Sequence, residues 1–284
     1  MQVNTNVQAL VAASAINLAT QQAARASERI GSSLRVNSAA DDPGSMIMIN
    51  SIKSKIASWS KANENITSAN GMLQTMNSTL TSVSDLLSKM RALAVSSVTA
   101  SADTQATNQT TFATYMTQMD NLSSLAKWNS ISLLNSTSGT NGAAGTVSIQ
   151  AGVDVGNTIT VNLYNTASSN LGDVGSRLST QTISSAVNAN LAITQIDKAI
   201  TTISGYQTAV GATQNIMSSQ SSYNTGISTA NNSTYATLTN ADIAAETANL
   251  AAAQIRQSSA SAMLAQSTQM NKDLVKTLLQ QFIN

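Results

Sequence analysis

The chain has 284 residues, with 14 Lys and Arg against 13 Asp and Glu, and it contains no His and no Cys. Without Cys there is no disulfide or thiolate chemistry, and without His the commonest metal ligand and the commonest general base are missing. The net charge of +1 gives no electrostatic basis for binding nucleic acid, and no apolar run approaches the roughly 18 residues that span a membrane.

The first predicted element is a helix that begins at about residue 6. Val7, Leu10 and Leu18 lie on one side of it, and Ala occupies many other positions. A helix that is weakly apolar all round is usually buried by neighbours on several sides, and a monomer of this size could hardly supply them. The first basic residue is Arg25, so a cleaved secretory signal, which needs an early positive charge, is not expected.

A short irregular stretch, RVNSAADDPGSM (residues 35–46), interrupts the helical pattern. Its adjacent carboxylates, Asp41 and Asp42, point in different directions on a helix or a strand, which argues against a shared metal or catalytic site. Ser38, Asp41 or Asp42 is expected to supply a helix-capping oxygen, and the single proline, Pro43, fits a first helical turn. The stretch is therefore predicted to be a joint between two helices.

A long helix is predicted after the joint. One column of mostly apolar residues recurs at a strict spacing of seven, and a companion column is interrupted by Asn63 and Asn70. Two interpretations fit this pattern equally well: a coiled-coil seam with polar register marks, or a long helix packed along one groove of its own domain. The seven-spaced column consists of Ile52, Trp59, Ile66, Leu73, Leu80, Leu87 and Ala94.

The period changes in the middle of the chain. A third helix is predicted over about residues 105–126, and alternating apolar residues at 147–149 and 159–163 then predict a small β-hairpin within about residues 140–175. A hairpin is marginally stable alone, so we expect it to lie on the helices.

Two further helices are predicted in the last third of the chain. One begins near Ile183 and breaks at Asn231-Asn232, and the other begins near Asn240 and carries Leu264, Leu274, Leu278 and Phe282. With long helices at both ends, the termini can pair in antiparallel fashion. The predicted fold class is mainly α: a long antiparallel helical bundle or coiled coil formed by the N- and C-terminal regions, with a small central β-hairpin.

Enzymatic activity is the weakest functional class. No phosphate-binding loop, nucleophile elbow or zinc-protease motif occurs, and a Ser-His-Asp triad cannot form without His. No cofactor or metal site is expected. A Ser-Lys dyad enzyme and a secreted membrane-active helical protein are the remaining rivals from other classes, and the latter would need an apolar segment of about 20 residues.

Short motifs across the chain occur in the order and with the spacing of one known family, the bacterial flagellins, which the chain resembles over nearly its full length. Each match alone is weak, but their combined order is specific. The matching segments are Asn4-Thr5-Asn6, residues 30–39 (IGSSLRVNSA) followed by Asp41-Asp42, residues 91–95 (RALAV), residues 150–152 (QAG), residues 156–159 (GNTI), residues 242–250 (DIAAETANL), residues 253–255 (AQI) and residues 264–266 (LAQ).

The resemblance implies a domain plan and a set of contact residues. Residues 1–42 and 240–284 would be the two halves of an inner-tube helical domain, and residues 43–239 a long-helix shell that includes the hairpin, with no separate outer domains. Arg35, Asn37, Asp41, Asp42 and Pro43 would form the joint and touch a neighbouring subunit. The packing residues of the terminal helices would be Val7, Leu10, Leu18, Leu264, Leu274, Leu278 and Phe282.

Three positions depart from the family pattern: Ala40 stands where Lys is common, Pro43 where Ala is common, and Ala92 where Glu is common. Lys89, Arg91 and Leu93 match a region that an innate immune receptor of the host reads in some flagellins. The acidic partner positions of that region do not clearly carry over.

The resemblance also implies a function: a structural subunit, not an enzyme, that polymerises with itself into the flagellar filament for swimming. Such a chain is secreted unfolded through the flagellar type III channel without a cleaved signal, is assisted by an export chaperone, cap and hook-associated proteins, and assembles at the extracellular filament tip. No nucleic acid and no membrane insertion are expected. The alternative within the same superfamily is a hook–filament junction protein.

Overall fold

The computed structural model describes residues 6–135 and 143–283, with side chains described at 6–135 and 145–280. Within these ranges the helices are α1 (Val7–Ser32), α2 (Pro43–Val98), α3 (Ala102–Leu125), α4 (Ala186–Thr239) and α5 (Ile243–Ile283). The strands form antiparallel pairs: β1 (Lys127–Trp128) with β2 (Ile131–Ser132), β3 (Ala143–Gln150) with β4 (Thr158–Tyr164), and β5 (Gly172–Asp173) with β6 (Ser176–Arg177). The mainly α class with a central hairpin is confirmed.

The helices are long because almost nothing in the chain stops them. The single proline is the first residue of α2, where its missing N–H breaks no helical hydrogen bond. The predicted break at Asn231-Asn232 is wrong, since α4 continues to Thr239. Asn costs a helix less than about 1 kcal/mol relative to Ala, which is too little to end a well-packed helix.

Contacts along the chain group it into two compact units. One consists of Met1–Ser54 and Ala230–Asn284, and the other of Lys55–Thr229, so α2 and α4 contribute to both. We call them the terminal unit and the central unit. The predicted domain boundaries, at residues 42/43 and 239/240, differ from the limits of these units. They coincide with the start of α2 and the end of α4.

In the central unit, α2 and α4 run antiparallel. Trp59 meets Tyr223 edge-on, with ring centroids 6.2 Å apart, and further along α2 the Arg91 guanidinium pairs with the Asp197 carboxylate at 2.7 Å. As the residue number rises on α2, that of its partner on α4 falls. The predicted antiparallel packing of N- and C-terminal segments is therefore present in this unit.

The seven-spaced column of α2 forms the spine of the core. Six of its seven members are buried, and Trp59 is half-buried. The column residues from Ile66 onward belong to one apolar cluster that also contains Phe112 of α3, Val161 of β4 and Ile196 of α4. The structure thus favours the second of the two interpretations, in which the column packs inside its own chain.

The β3–β4 hairpin lies on the two long helices, as predicted. Val161 faces the core and is buried. Asn65 of α2 donates its side-chain N–H to the carbonyl of Gln150 at 3.1 Å, and the buried Asn224 of α4 donates to the next carbonyl, that of Ala151, at 2.8 Å. Two helices therefore hold adjacent carbonyls at the end of one strand.

A tight turn places an aromatic ring over α2. Asn129 and Ser130, between β1 and β2, have φ values of 45° and 67°, which is the left-handed region that a two-residue hairpin of this twist requires. The turn sets Trp128 against Gly71 of α2, where a Cβ atom would lie 3.0 Å from the Trp128 ring. Close approach of the ring accounts for a glycine inside this helix.

We expect Gly71→Ala to destabilise the central unit by about 1 kcal/mol, because the cost of overpacking exceeds the gain in helix propensity. Gly211→Ala on α4 is the matched control, since a Cβ there meets nothing within 4 Å. It should stabilise the protein by roughly 0.5–1 kcal/mol. Thermal unfolding followed by Trp fluorescence separates the two, and equal stabilisation by both changes would contradict the proposed role of Trp128.

Candidate assembly surfaces

The joint between α1 and α2 is paired with the joint between α4 and α5. The Arg35 N–H donates to the carbonyl of Thr239 at 2.7 Å, and the Ala241 N–H donates to the carbonyl of Ser33 at 3.0 Å. Ser33, with φ of 58°, ends α1 in the left-handed conformation that is common just past a helix. The two crossings between helices therefore share one short antiparallel bridge.

Asp41 holds the loop of the first joint together. One carboxylate oxygen accepts the backbone N–H of Asn37 at 3.1 Å, the backbone N–H of Ser38 at 2.8 Å and the Ser38 hydroxyl at 3.0 Å. These hydrogen bonds, chiefly the one from the Ser38 backbone, lower the pKa of Asp41 below its usual value. Its role in the single chain is to shape the loop.

Asp42 supplies the helix-capping oxygen of α2. Its carboxylate accepts the backbone N–H of Ser45 at 3.0 Å and the Ser45 hydroxyl at 2.5 Å, and these bonds lower the pKa of Asp42. Pro43 follows as the first helical residue. Of the three capping candidates in the sequence, Asp42 is therefore the one that caps.

The other two joint residues reach neighbouring segments. The Arg35 guanidinium donates to the carbonyl of Leu238 at 2.9 Å, and the Asn37 side-chain amide donates to the Glu28 carboxylate at 3.0 Å. All five predicted joint residues therefore lie in one loop and its flanking turns. Their contact with a neighbouring subunit stays a prediction.

In the terminal unit, α1 and α5 pair in antiparallel fashion. Asn6 and Ser267 exchange two hydrogen bonds, of 3.1 and 2.9 Å, near the start of α1, and Arg29 pairs with Glu246 at 3.1 Å near its end. The seam between these points consists of buried alanines spaced by seven. They are Ala12, Ala19 and Ala26 on α1 and Ala253 and Ala260 on α5.

Several large apolar side chains of α1 lie outside this seam. Val7, Leu10 and Leu18 are 61%, 67% and 57% exposed in the single chain. The prediction that they pack the terminal helices thus does not hold for the α1–α5 contact, because small alanines let the helix backbones approach closely and turn the bulkier side chains outward. The seven-residue repeat of Ala from position 12 is the sequence signal that could have identified the seam.

On α5 the predicted packing residues lie at the seam or beyond it. Leu264, Leu274 and Leu278 are half-buried. They continue the line of Ala253 and Ala260 along the same face of α5. Phe282 is on the last turn of α5, and its side chain lies outside the described residues. Met263 and Met270, on a flank of the seam, are 60% and 65% exposed.

The three residues of the predicted receptor region face different surroundings. Lys89 is exposed and lines a groove between α2 and α3. Arg91 bonds Asp197 of α4, and this pairing raises the pKa of the guanidinium. Leu93 is half-buried against the core. The structure therefore does not bring the three side chains together on one surface.

Within residues 6–135 and 143–283, no three His, Cys, Asp or Glu side chains are grouped closely enough to hold a metal ion. In the same described part of the chain, no helix has the length and apolarity to cross a bilayer.

Two family descriptions match this chain. The bacterial flagellin N-terminal helical region matches residues 3–139, and the bacterial flagellin C-terminal helical region matches residues 193–278. The matched segments include the whole of α1, α2 and α3, most of α4 and α5, and both joints.

The curated relatives include two flagellins of nearly equal length. The flagellin of Listeria innocua serovar 6a is 30% identical, and that of Listeria monocytogenes serovar 1/2a is 29% identical. Each alignment covers 98% of this chain and 99% of the relative.

Among solved structures, a chain from Vibrio parahaemolyticus described as a flagellar hook-associated protein has a similar fold. The TM-score is 0.58 at 14% identity, and the match covers 70% of this chain and 99% of that one. Identity this low supports the shared fold only.

The joint carboxylates predict a loss of stability in acid. The folded state lowers the pKa of Asp41 and of Asp42, so their contribution is complete above the unfolded value of about 3.9 and disappears as the pH falls through the lower folded values. We expect the double change Asp41→Asn with Asp42→Asn to lower the melting temperature at pH 6 and to matter progressively less toward pH 3. The matched control is Asp85→Asn, at an exposed position of α2 away from the joint. A stability difference that persists unchanged at pH 3 would contradict this role.

Proposed function

This chain belongs to the bacterial flagellin family, a family of structural filament proteins, and we propose that it polymerises with copies of itself into the extracellular flagellar filament. One observation carries the proposal: α1 keeps several of its large apolar side chains on the outside of the terminal unit. Val7, Val11 and Leu18 recur on one side of α1, away from the alanine seam, and each is more than half exposed. An apolar stripe of this kind is typical of a protein interface.

Repetition of one contact between unlike surfaces produces an open helical filament when the rotation between copies does not close a ring. The stripe of α1 and the alanine seam are different faces of one helix, so the stripe is free to meet another copy while α1 and α5 remain paired. The net charge of +1 limits repulsion between stacked copies. The same residues therefore support a polymer in which the terminal helices form the inner wall and α2, α3, α4 and the hairpin form the shell.

Assembly is proposed to complete the order of the terminal helices. The seam between α1 and α5 buries five alanines fully, whereas the core of the central unit buries Leu, Ile, Met and Phe side chains. Because apolar stabilisation scales with buried area, at about 25 cal/mol per Å², an alanine seam holds its helices weakly. The helices would gain their main burial from neighbouring copies.

The route to the filament is also part of the proposal. The chain would leave the cell unfolded through the flagellar type III channel, with an export chaperone, and would assemble at the tip with cap and hook-associated proteins. A chain without Cys carries no disulfide that would oppose unfolding. The domain plan proposed above, with residues 1–42 and 240–284 as the inner tube, follows the ends of α2 and α4.

A hook–filament junction protein remains the second candidate, since the fold of a hook-associated protein is shared. The flagellin proposal is favoured because two flagellins match this chain over nearly the whole of both lengths. A junction protein would share the end helices without forming long filaments. Recognition by an innate receptor stays a prediction. The positions of Lys89, Arg91 and Leu93 do not support it, because the three side chains do not share one surface.

We expect Leu18→Lys to abolish filament growth while the central unit stays folded, because a charge would be buried in the proposed interface. Leu18→Met is the matched control and should assemble normally, since it retains an apolar side chain of similar volume. Seeded growth followed by electron microscopy measures assembly, and circular dichroism measures folding. Normal filaments from Leu18→Lys would remove the observation on which the proposal stands.

Deletion of residues 265–284 should likewise block filament formation and leave the thermal transition of the central unit in place. The reason is that Leu274 and Leu278 lie on α5, which belongs to the terminal unit. Sedimentation detects the polymer and calorimetry detects the transition. A truncated chain that still forms long filaments would show that the end of α5 is dispensable.

A further inference from the structure

Most of α4 carries no charge. Residues 199–241 contain no Asp, Glu, Lys or Arg, and 199–239 of them are helical. The outward face of a helix on a soluble protein ordinarily carries charged side chains, which keep it solvated and discourage association. An exposed helix without charge over this length is a candidate for a covered surface.

An exposed side of α4 includes Gly205, Ala212, Ile216, Ser219 and Tyr223, spaced seven, four, three and four residues apart, and the Tyr223 ring also meets Trp59 of α2 at its edge. We call these five residues the outer face of α4. Three members carry little or no side chain, while Ile216 and Tyr223 are 56% and 57% exposed. At 1.5 Å per residue the face is about 27 Å long.

Two hydroxyl groups beside this face donate their hydrogen bonds within the helix and not to water. The Thr208 hydroxyl donates to the carbonyl of Ser204 at 2.9 Å, and the Ser222 hydroxyl donates to that of Ser218 at 3.1 Å. A hydroxyl whose proton is bonded within its own helix leaves no unsatisfied donor when the surface is dried. Covering these two hydroxyls would therefore leave no donor without a partner.

We propose that a second copy of this chain covers the outer face of α4 in the filament. This inference rests on the proposed function and names one surface of the polymer contact. The occupant is argued from charge and size. The face offers no charge with which to select an acidic or basic partner, whereas the chain itself supplies a matching surface on α3. Residues 104–119 are uncharged, and one exposed line along them, spaced by three and four residues, carries only small side chains: Ala106, Thr110, Ala113 and Thr117.

Bulky side chains on one helix and small ones on another give a contact between unlike surfaces. Such a contact repeats from copy to copy, and it extends into an open filament when the rotation between copies does not close a ring. Two α4 helices meeting face to face would instead form a closed dimer, which is the alternative that the experiment detects.

Because the chain contains no Cys, a single introduced thiol can report whether the outer face is accessible to solvent. Ser219→Cys places a single thiol on the outer face, and its reaction with a maleimide is timed in the monomer and in the filament. We expect labelling in the filament to be slower by at least about tenfold, as for a contact that excludes solvent. If filaments form but position 219 reacts as fast as in the monomer, the inference is overturned and the proposed function stands. If the chain never forms filaments, both fail, and protection in a closed dimer also overturns the inference.

A charge placed on the same face tests its energetic importance. Ile216→Lys should raise the concentration needed for filament growth by about tenfold or more, since it places a charge where the proposed contact would bury an apolar group. Leu191→Lys is the matched control: it is on α4, it is equally exposed at 56%, and it lies outside the uncharged run. We expect it to assemble like the unmodified chain, as should Ile216→Val. Equal inhibition by both lysine substitutions, or by neither, would overturn the inference.

Discussion

Burial of the seven-spaced column on α2 is the interaction on which the central unit depends. Leu73, Leu80 and Leu87 are fully buried, and α3, β4 and α4 all contribute side chains to the same cluster. Because the column extends along one long helix, the elements packed on it must also be long or must lie along it. The antiparallel return of α4, the position of the hairpin and the close fit of Trp128 over Gly71 all follow from covering that column.

The terminal unit also packs its helices along a column of residues spaced by seven, but the side chains are different. The fully buried residues of its seam are alanines, and Val7, Leu10, Val11 and Leu18 of α1 lie outside the seam, so the two helices pair while these apolar side chains stay exposed. The joint supplies what the seam lacks in strength: two backbone hydrogen bonds between Ser33–Arg35 and Thr239–Ala241, with Asp41 and Asp42 shaping the loop and starting α2. A unit whose joint is held by hydrogen bonds and whose apolar side chains are partly exposed is suited to packing in a polymer.

The sequence predicted the parts of this structure that depend on strong local or periodic signals. The column on α2, the strands around residues 147–149 and 159–163, and Pro43 as a helix start were all recovered, because spacing and backbone chemistry determine them. The end of α4 was misplaced because a pair of asparagines disfavours a helix only slightly. The outward position of Leu10 and Leu18 was missed because it depends on which of two faces α5 meets, and alanine, the residue that decides this, carries little weight in a hydrophobic pattern. The pairing of Arg91 with Asp197, over a hundred residues away, requires the antiparallel register of α2 and α4, which the sequence does not display.

The alanine seam has a consequence for how freely such a chain can vary. Helix backbones that touch through methyl groups tolerate no larger side chain at the contact points, but they make no demand on the residues between them. The strict requirement in α1 therefore falls on one position in seven, at Ala12, Ala19 and Ala26. Substitutions on the outward surface of α1 would leave α1 and α5 paired, so that surface is open to change without loss of the fold.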